Sequence, residues 1–576
     1  SDNSEIPLTN RNTASHLKNL LGAWNFTINP SNKLAFSGFV IGFDNDVTMS
    51  SNSLRTYPQL GDRNQEQLIS KRSMVNRSGL YRFSATYTPS YNVQVDYTFF
   101  GKQGTARQDL LQNSQLISGE NTLQEFKDQK SNNQNHQVRV FKALDEKNIL
   151  STEWNYLDER SPTSQFLISG QPLFSTFLSN NAVALSQYQN VHARRLEGAL
   201  NYYRILNQTT HINLAFGVNL SQQTLISDLN NEEESLSDVD EELAIANRYA
   251  NLRYRKKWKK LTVSPGISLN SYTVKRADNL STQTQYFFPN LDVRYEFGNS
   301  HELQLNYNQS LEYNGVRAYA EGYLLNSYNT LLSGSTQLKP ATFRKAGLNY
   351  RNFNMYSFFN IHGRINYEYI TNAFINNQEL NGIENVLRSV NARDANHITN
   401  GYVSIEKRLD HFKIGGTVNI SKRVLTNQFE SQVIRNDHFT HRYNVKISAR
   451  PFEKLSIRAG YMLSSNRYTS GSLTNRFVNH QPHVTTELNH KGLQIETKYT
   501  FNRYVNQSQA QDNSFDILDV SLSYRKLKSP WEFKVRGTNL FDTHEIRRDS
   551  FRNNLISTYT YAIQQRYGLL TVMYSL

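Results

Sequence analysis

Tyr91 to Phe99 reads Tyr-Asn-Val-Gln-Val-Asp-Tyr-Thr-Phe. Tyr91, Val93, Val95, Tyr97 and Phe99 fall on one face of an extended chain, and Asn92, Gln94, Asp96 and Thr98 on the other. A period of two is the mark of a β-strand with one apolar and one polar face. The rhythm returns along the chain. Leu303, Leu305 and Tyr307 alternate with Glu302, Gln304 and Asn306. Leu493, Ile495, Thr497, Tyr499 and Phe501 alternate with Gln494, Glu496, Lys498, Thr500 and Asn502, and Leu518, Val520, Leu522 and Tyr524 with Asp519, Ser521, Ser523 and Arg525.

Short polar connections separate these runs, from Asn29-Pro30-Ser31-Asn32 through Pro89-Ser90, Asp145-Glu146 and Asp410-His411 to Lys528-Ser529-Pro530. Their Pro, Gly, Asn and Asp content suits tight turns. Eleven such hairpins and a last strand ending at Leu576 predict 23 strands. The other connections read as long polar loops: Gly101 to Asn133, Asp158 to Asn190, Ser221 to Glu242, Asn314 to Pro340 and Ile375 to Asn396. A loop such as Asp228 to Glu241 is expected to be removable without loss of folding, since closure entropy grows slowly with length.

Short turns on one side and long loops on the other describe a transmembrane antiparallel up-and-down β-barrel of about 22–24 strands, all-β, with periplasmic turns and extracellular loops. The lipid face is expected to carry Val93, Val95, Leu305, Ile495 and Val520, and the lumen Gln94, Gln304, Glu496 and Ser521. Mean hydropathy is −0.63 and no run of 18 apolar residues occurs, so helical membrane spans are excluded. A barrel escapes that test because only alternate residues meet lipid. The chain holds 34 Tyr and 31 Phe, suited to a membrane–water boundary, and Trp24, Trp258 and Trp531 are expected near strand ends as a girdle. A soluble sandwich has too few strands, and no propeller blade motif repeats.

The net charge is +14. It is spread over polar strand faces and turns without a nucleic-acid motif, so outer-membrane lipid and lipopolysaccharide, or an anionic ligand, are the expected partners and nucleic acid is not. Cysteine is absent, which removes disulfides and thiolate metal sites. No signal peptide is visible and the chain opens at Ser1, so the numbering is expected to start at or after a mature N-terminus.

Candidate chemistry is thin. Glu232, Glu233, Glu234, Asp238, Asp240, Glu241 and Glu242 make an acidic run with calcium-type oxygens but without EF-hand spacing. It reads as a solvated loop with room for one or two helical turns. His480-Gln-Pro-His483 offers two imidazoles. His301-Glu302 and His544-Glu545 lack the second His of a zinc-protease helix. Neither catalytic, metal nor cofactor residues are assigned, ligand-binding residues stay unassigned, and the chain is not expected to be an enzyme. Arg253, Arg255, Lys256, Lys257, Lys259 and Lys260 crowd a turn around Trp258, as snorkelling side chains at a membrane edge or as a dock for an acidic partner.

Gly334-Ser-Thr-Gln-Leu-Lys-Pro340, followed by the strand Phe343 to Tyr350, resembles the Gly-Asn-Pro-x-Leu-Lys-Pro-Glu element of TonB-dependent outer-membrane receptors. Arg536-Gly-Thr-Asn-Leu-Phe-Asp542, with Gln565-Arg566-Tyr567 opening the last strand, resembles their Asn-Leu-Phe-Asp and closing Gly-Arg elements. Ala341 stands where the family has Glu, and Gln565 where it has Gly. The final run Tyr567 to Leu576, with Leu570, Val572, Tyr574 and Leu576 on one face, is similar to the terminal strand read in barrel assembly, though the usual last residue is aromatic. The resemblance implies a 22-stranded barrel, an N-terminal plug and TonB-driven import of a scarce ligand. Residues 1–13 are expected to lead into a barrel of residues 14–576, so that either a plug lies upstream of this numbering or the barrel works without one. A 24th strand lost from the front would restore an even count, as would one misread hairpin. The rival expectation is a non-transporting scaffold subunit of a larger outer-membrane complex, with a lipoprotein or other outer-membrane subunits as partners.

Overall fold

The computed structural model describes residues 16–56, 65–116, 119–231, 234–276, 281–298, 300–354, 356–507, 511–526, 529–552, 555–563 and 565–574. Residues 1–13, Glu232, Glu233 and Leu576 lie outside them. A single sheet of 29 strands accounts for nearly all of the described chain, with one α-helical turn at Ser175–Leu178. Twenty-three strands run as one antiparallel meander, each paired to the next, from His16–Ser31 to Tyr567–Tyr574. The other six form three hairpins or hairpin extensions on the side away from the short turns: Leu324–Ser327 with Thr330–Ser333, Phe374–Asn381 with Glu384–Asn391, and Glu545–Arg552 with Leu555–Ala562.

An odd meander leaves its first and last strands running in the same direction. The sheet closes one strand further in, where Ser51–Thr56 pairs antiparallel with Ile556–Tyr561. The wall that closes on itself thus has twenty-two strands. The strand His16–Ser31 lies against the lower part of Leu34–Thr56.

The turns fall within a residue or two of their expected places. At Lys491-Gly492 both central residues have positive φ, 46° and 84°, the geometry that matches strand twist in a two-residue hairpin. Trp258 and Trp531 stand at turns, while Trp24 lies mid-strand opposite Val40.

Most of the expected long loops are instead strand. Val93–Leu116 and Gly119–Ala143 pair almost to their tips, so Gly101 to Asn133 is a hairpin rising from the barrel. The acidic run is strand from Ser235 on: Ser235–Trp258 pairs with Thr210–Asn230, and no helical turn forms among the run's described residues. A polar run still pairs when neighbours on both sides supply backbone partners. The described residues of Asp228 to Glu241 are therefore largely strand rather than loop, and Leu229 and Val239 are buried among them. Only about 9–11 residues of a tilted strand are needed to cross a bilayer; strands here reach 26.

The bilayer band is visible in the side chains. Leu200, Phe216, Leu252, Leu269 and Phe287 are outward and exposed on successive strands, as are Leu305, Leu348 and Ile365. Its edge away from the turns carries Phe99, His136 and Tyr156, with Phe99 and His136 centroids 4.6 Å apart. Beyond that ring charged residues also face outward, and Arg107 pairs with Asp128 at 3.4 Å, although Leu111, Phe126 and Ile168 are exposed at this level too.

Candidate functional site at the barrel mouth

The interior of the wall differs along its length. In the bilayer band the inward side chains are charged and paired: Arg139 with Glu153 at 2.9 Å, Lys345 with Glu368 at 2.9 Å, and Arg351 with Glu302 at 3.2 Å. Gln304 donates to Asp292 at 2.5 Å. Above the band the inward residues are Leu68, Leu123, Leu167, Leu185 and Leu229, each essentially inaccessible to solvent.

Those leucines are covered by three inserts folded into the mouth. Residues 313–340 leave the strand His301–Glu312, make a single turn at Val316–Ala318, form the Leu324–Ser333 hairpin and return to Ala341–Asn354. This lid crosses to a wall almost half the circumference away. Tyr328 at its tip donates to Glu66 at 2.5 Å and accepts from Arg55 at 2.7 Å. Glu66 is fully buried, 3.4 Å from Arg55, and also accepts from Ser114. Lid N–H groups that have left the sheet are met by wall side chains: Leu325 by Gln187 at 2.6 Å, Val316 by Gln223 at 3.1 Å and Tyr323 by Ser237 at 2.8 Å. Buried backbone donors need such partners.

The other two inserts lock the first. Thr330–Ser333 pairs parallel with Asn385–Arg388 of the Phe374–Asn391 hairpin. Phe174, fully buried and with φ 52°, donates its N–H to Glu384 at 2.6 Å. Phe174, Leu325, Tyr328, Leu331 and Val386 then pack with the wall leucines into one core. Burial raises the pKa of Glu384 and of Glu125, which also lies in this upper region.

The two receptor-like motifs hold scaffold in place. Gly334 donates to Ala320 O at 2.7 Å, and a Cβ there would lie 2.5 Å from that residue's backbone, so only glycine lets the lid return. Lys339 and Asn391 exchange hydrogen bonds of 2.6 and 2.9 Å, tying the lid's return to the second hairpin. In the last hairpin, Asn539 and Asp542 hold φ of 52° and 57°, which these residue types tolerate best after glycine. Asn539 closes a kink by bonding both ways with Thr543, and Asp542 accepts from Arg566 N at 3.0 Å on the returning strand.

The sequence candidates do not converge. His480 and His483 share a strand at odd spacing and point to opposite faces; His480 meets Tyr461 at 2.6 Å. In the acidic run Glu241 shares a face with buried Val239 and Leu243, while Asp240 and Glu242 point the other way. His301 contacts Tyr350 at 2.8 Å and His544 lies by Asp542. Among the described residues no group of three potential ligands is placed to hold a metal. The basic cluster divides too: Arg253 and Arg255 turn inward and line a recess of about 760 Å³ with Asp292 and Arg294, Lys256 faces outward to Thr210, and Lys257 pairs with Glu296. The Arg55–Glu66–Tyr328 triad escaped sequence reading because its members are up to 273 positions apart.

No family model matches the sequence, and no curated protein matches it. Solved structures do. The outer membrane transporter YddB from Escherichia coli is 10% identical with a TM-score of 0.52, covering 97% of this chain and 75% of its own. The copper transporter OprC is 10% identical with a TM-score of 0.50, covering 96% and 81%. The chain has the β-barrel fold of these outer-membrane transporters.

Proposed function

We propose that this barrel is a TonB-driven importer that admits a scarce solute across the outer membrane. One observation carries the reading: a polar, water-compatible lumen runs through the bilayer band, yet part of its outer mouth is covered by inserts packed on the wall in an apolar core. Each fully buried Leu or Phe contributes roughly 1.5–3 kcal/mol. A mouth closed by several of them does not open often by thermal motion, even after the ordering entropy is set against it. A passive pore gains nothing from such a closure, whereas an importer supplied with work can open it. A plug upstream of this barrel domain, residues 14–576, would make the contact with TonB. The fold neighbours are named as transporters, one of copper, which supports transport without naming this chain's solute.

The test is uptake by cells producing the protein, screened over metal chelates and oligosaccharides. Uptake of one solute class should appear with the barrel and vanish when TonB is deleted. Uptake indifferent to TonB, with co-purifying membrane proteins lost when residues 313–340 are shortened, would establish the scaffold role instead.

A further inference from the structure

The lid does not seal evenly against the wall. Beneath it remains a recess of about 110 Å³, room for a few waters or one small polyatomic group. Lys127 and Gln129 enter it from the strand Gly119–Ala143, Thr163 from Asn148–Ser169 and Gln189 from Ala184–Asn207. Arg317 enters from the lid itself. The nearby carboxylate is Glu125, which is buried and already accepts a hydrogen bond from Gln165 at 3.2 Å. Its charge acts on Lys127 first and on Arg72 second. Arg317 and Lys127 make no ion-pair contact among the described residues.

From this we infer that the lid–wall seam is a binding site for a small soluble oxyanion, a carboxylate or phosphate group borne by a solute. Arg317 and Lys127 approach from opposite sides of a closing seam, so without an anion their like charges oppose closure. An oxyanion between them turns that repulsion into two charge-assisted contacts. Gln129, Gln189 and Thr163 add neutral donors for its remaining oxygens. Since one cation rides on the lid, the anion favours the closed state by its difference in affinity for the two states. The recess faces the lumen, with the barrel wall between it and lipid, so a lipid headgroup is not the source.

Calorimetric titration of the whole chain in detergent with inorganic phosphate, and separately with citrate, tests the site independently of transport. At least one anion should bind saturably, and Lys127→Gln and Arg317→Gln should each weaken it tenfold or more. Arg317→Lys should retain most of the affinity, and Arg253→Gln, in the other basic recess, should leave it unchanged. The bound anion should also slow amide exchange in residues 316–333 of the parent protein but not of Arg317→Gln. Heat-modifiable mobility on gels verifies that each variant is folded. The site is overturned if neither anion binds saturably, if Arg317→Gln binds as the parent does, or if Arg253→Gln weakens binding equally.

Discussion

The bilayer band and the mouth are built from the same strands with opposite polarity. In Gly119–Ala143, Val138 and Val140 face lipid while Arg139 faces the lumen; higher up, Asp128 and Lys130 face water outside while Leu123 faces a protein core. The strand period does not change. What changes is the solvent on each side: lipid outside and water inside at one level, water outside and packed loops inside at the other. Alternation alone reports that two faces differ, and the neighbours decide which face is buried.

The sharpest way to break this comparison is to remove the lid. Replacing 315–338 by a short Gly-Ser linker should leave a folded barrel and raise conductance in planar bilayers from near silence to large steps, since side chains alone cannot fill a bore of this size. A barrel that conducts equally with and without the lid would mean that the mouth core does not close the lumen.

Glu66→Ala comes next. Breaking a buried pair strands a charge and costs about 3–5 kcal/mol, here spent on Arg55 and on the lid tip at Tyr328. Amide exchange should speed up across 324–333 while the bilayer band stays protected. In the band itself the two faces should separate: Leu305→Arg, outward, should cost roughly 2–4 kcal/mol in refolding, and Gln304→Arg, one residue away in the lumen, much less. Equal costs would deny the inside–outside assignment.

The smallest effect is that of pH. Burial lifts the pKa of Glu384 and Glu125 above the ordinary carboxylate value, so the closed mouth holds more protons than the opened one. Stability conferred by the neutral forms is full below the ordinary value and is lost as pH rises through the lifted one. Lid protection against exchange should therefore fall on going from mildly acidic to neutral pH. Glu384→Gln should flatten part of that dependence.

Much of the wall was legible in residues. Alternation at Tyr91–Phe99 and the turn chemistry at Asp410-His411 report local preferences that the fold keeps. The Gly101 to Asn133 stretch misled because Asn, Gln and Ser disfavour neither water nor a paired strand, and pairing was decided by adjacent strands. The mouth was not legible at all. Leu123 stands alone among polar neighbours, Leu68 adjoins Ile69 and Leu167 lies between Phe166 and Ile168, and nothing near any of them announces that Phe174, Leu325 and Val386 will cover them.

By itself the sequence determined the strand period, the turn positions and hence a many-stranded meander with one face for lipid, because those follow from interactions between residues close along the chain. Only the tertiary structure decided where the sheet closes, that the lid spans the mouth, and that Arg317 meets Lys127 across a seam. Those depend on contacts between segments far apart along the chain, such as Ser51 with Tyr561 and Arg55 with Tyr328, and an alternating pattern carries no record of its distant partner.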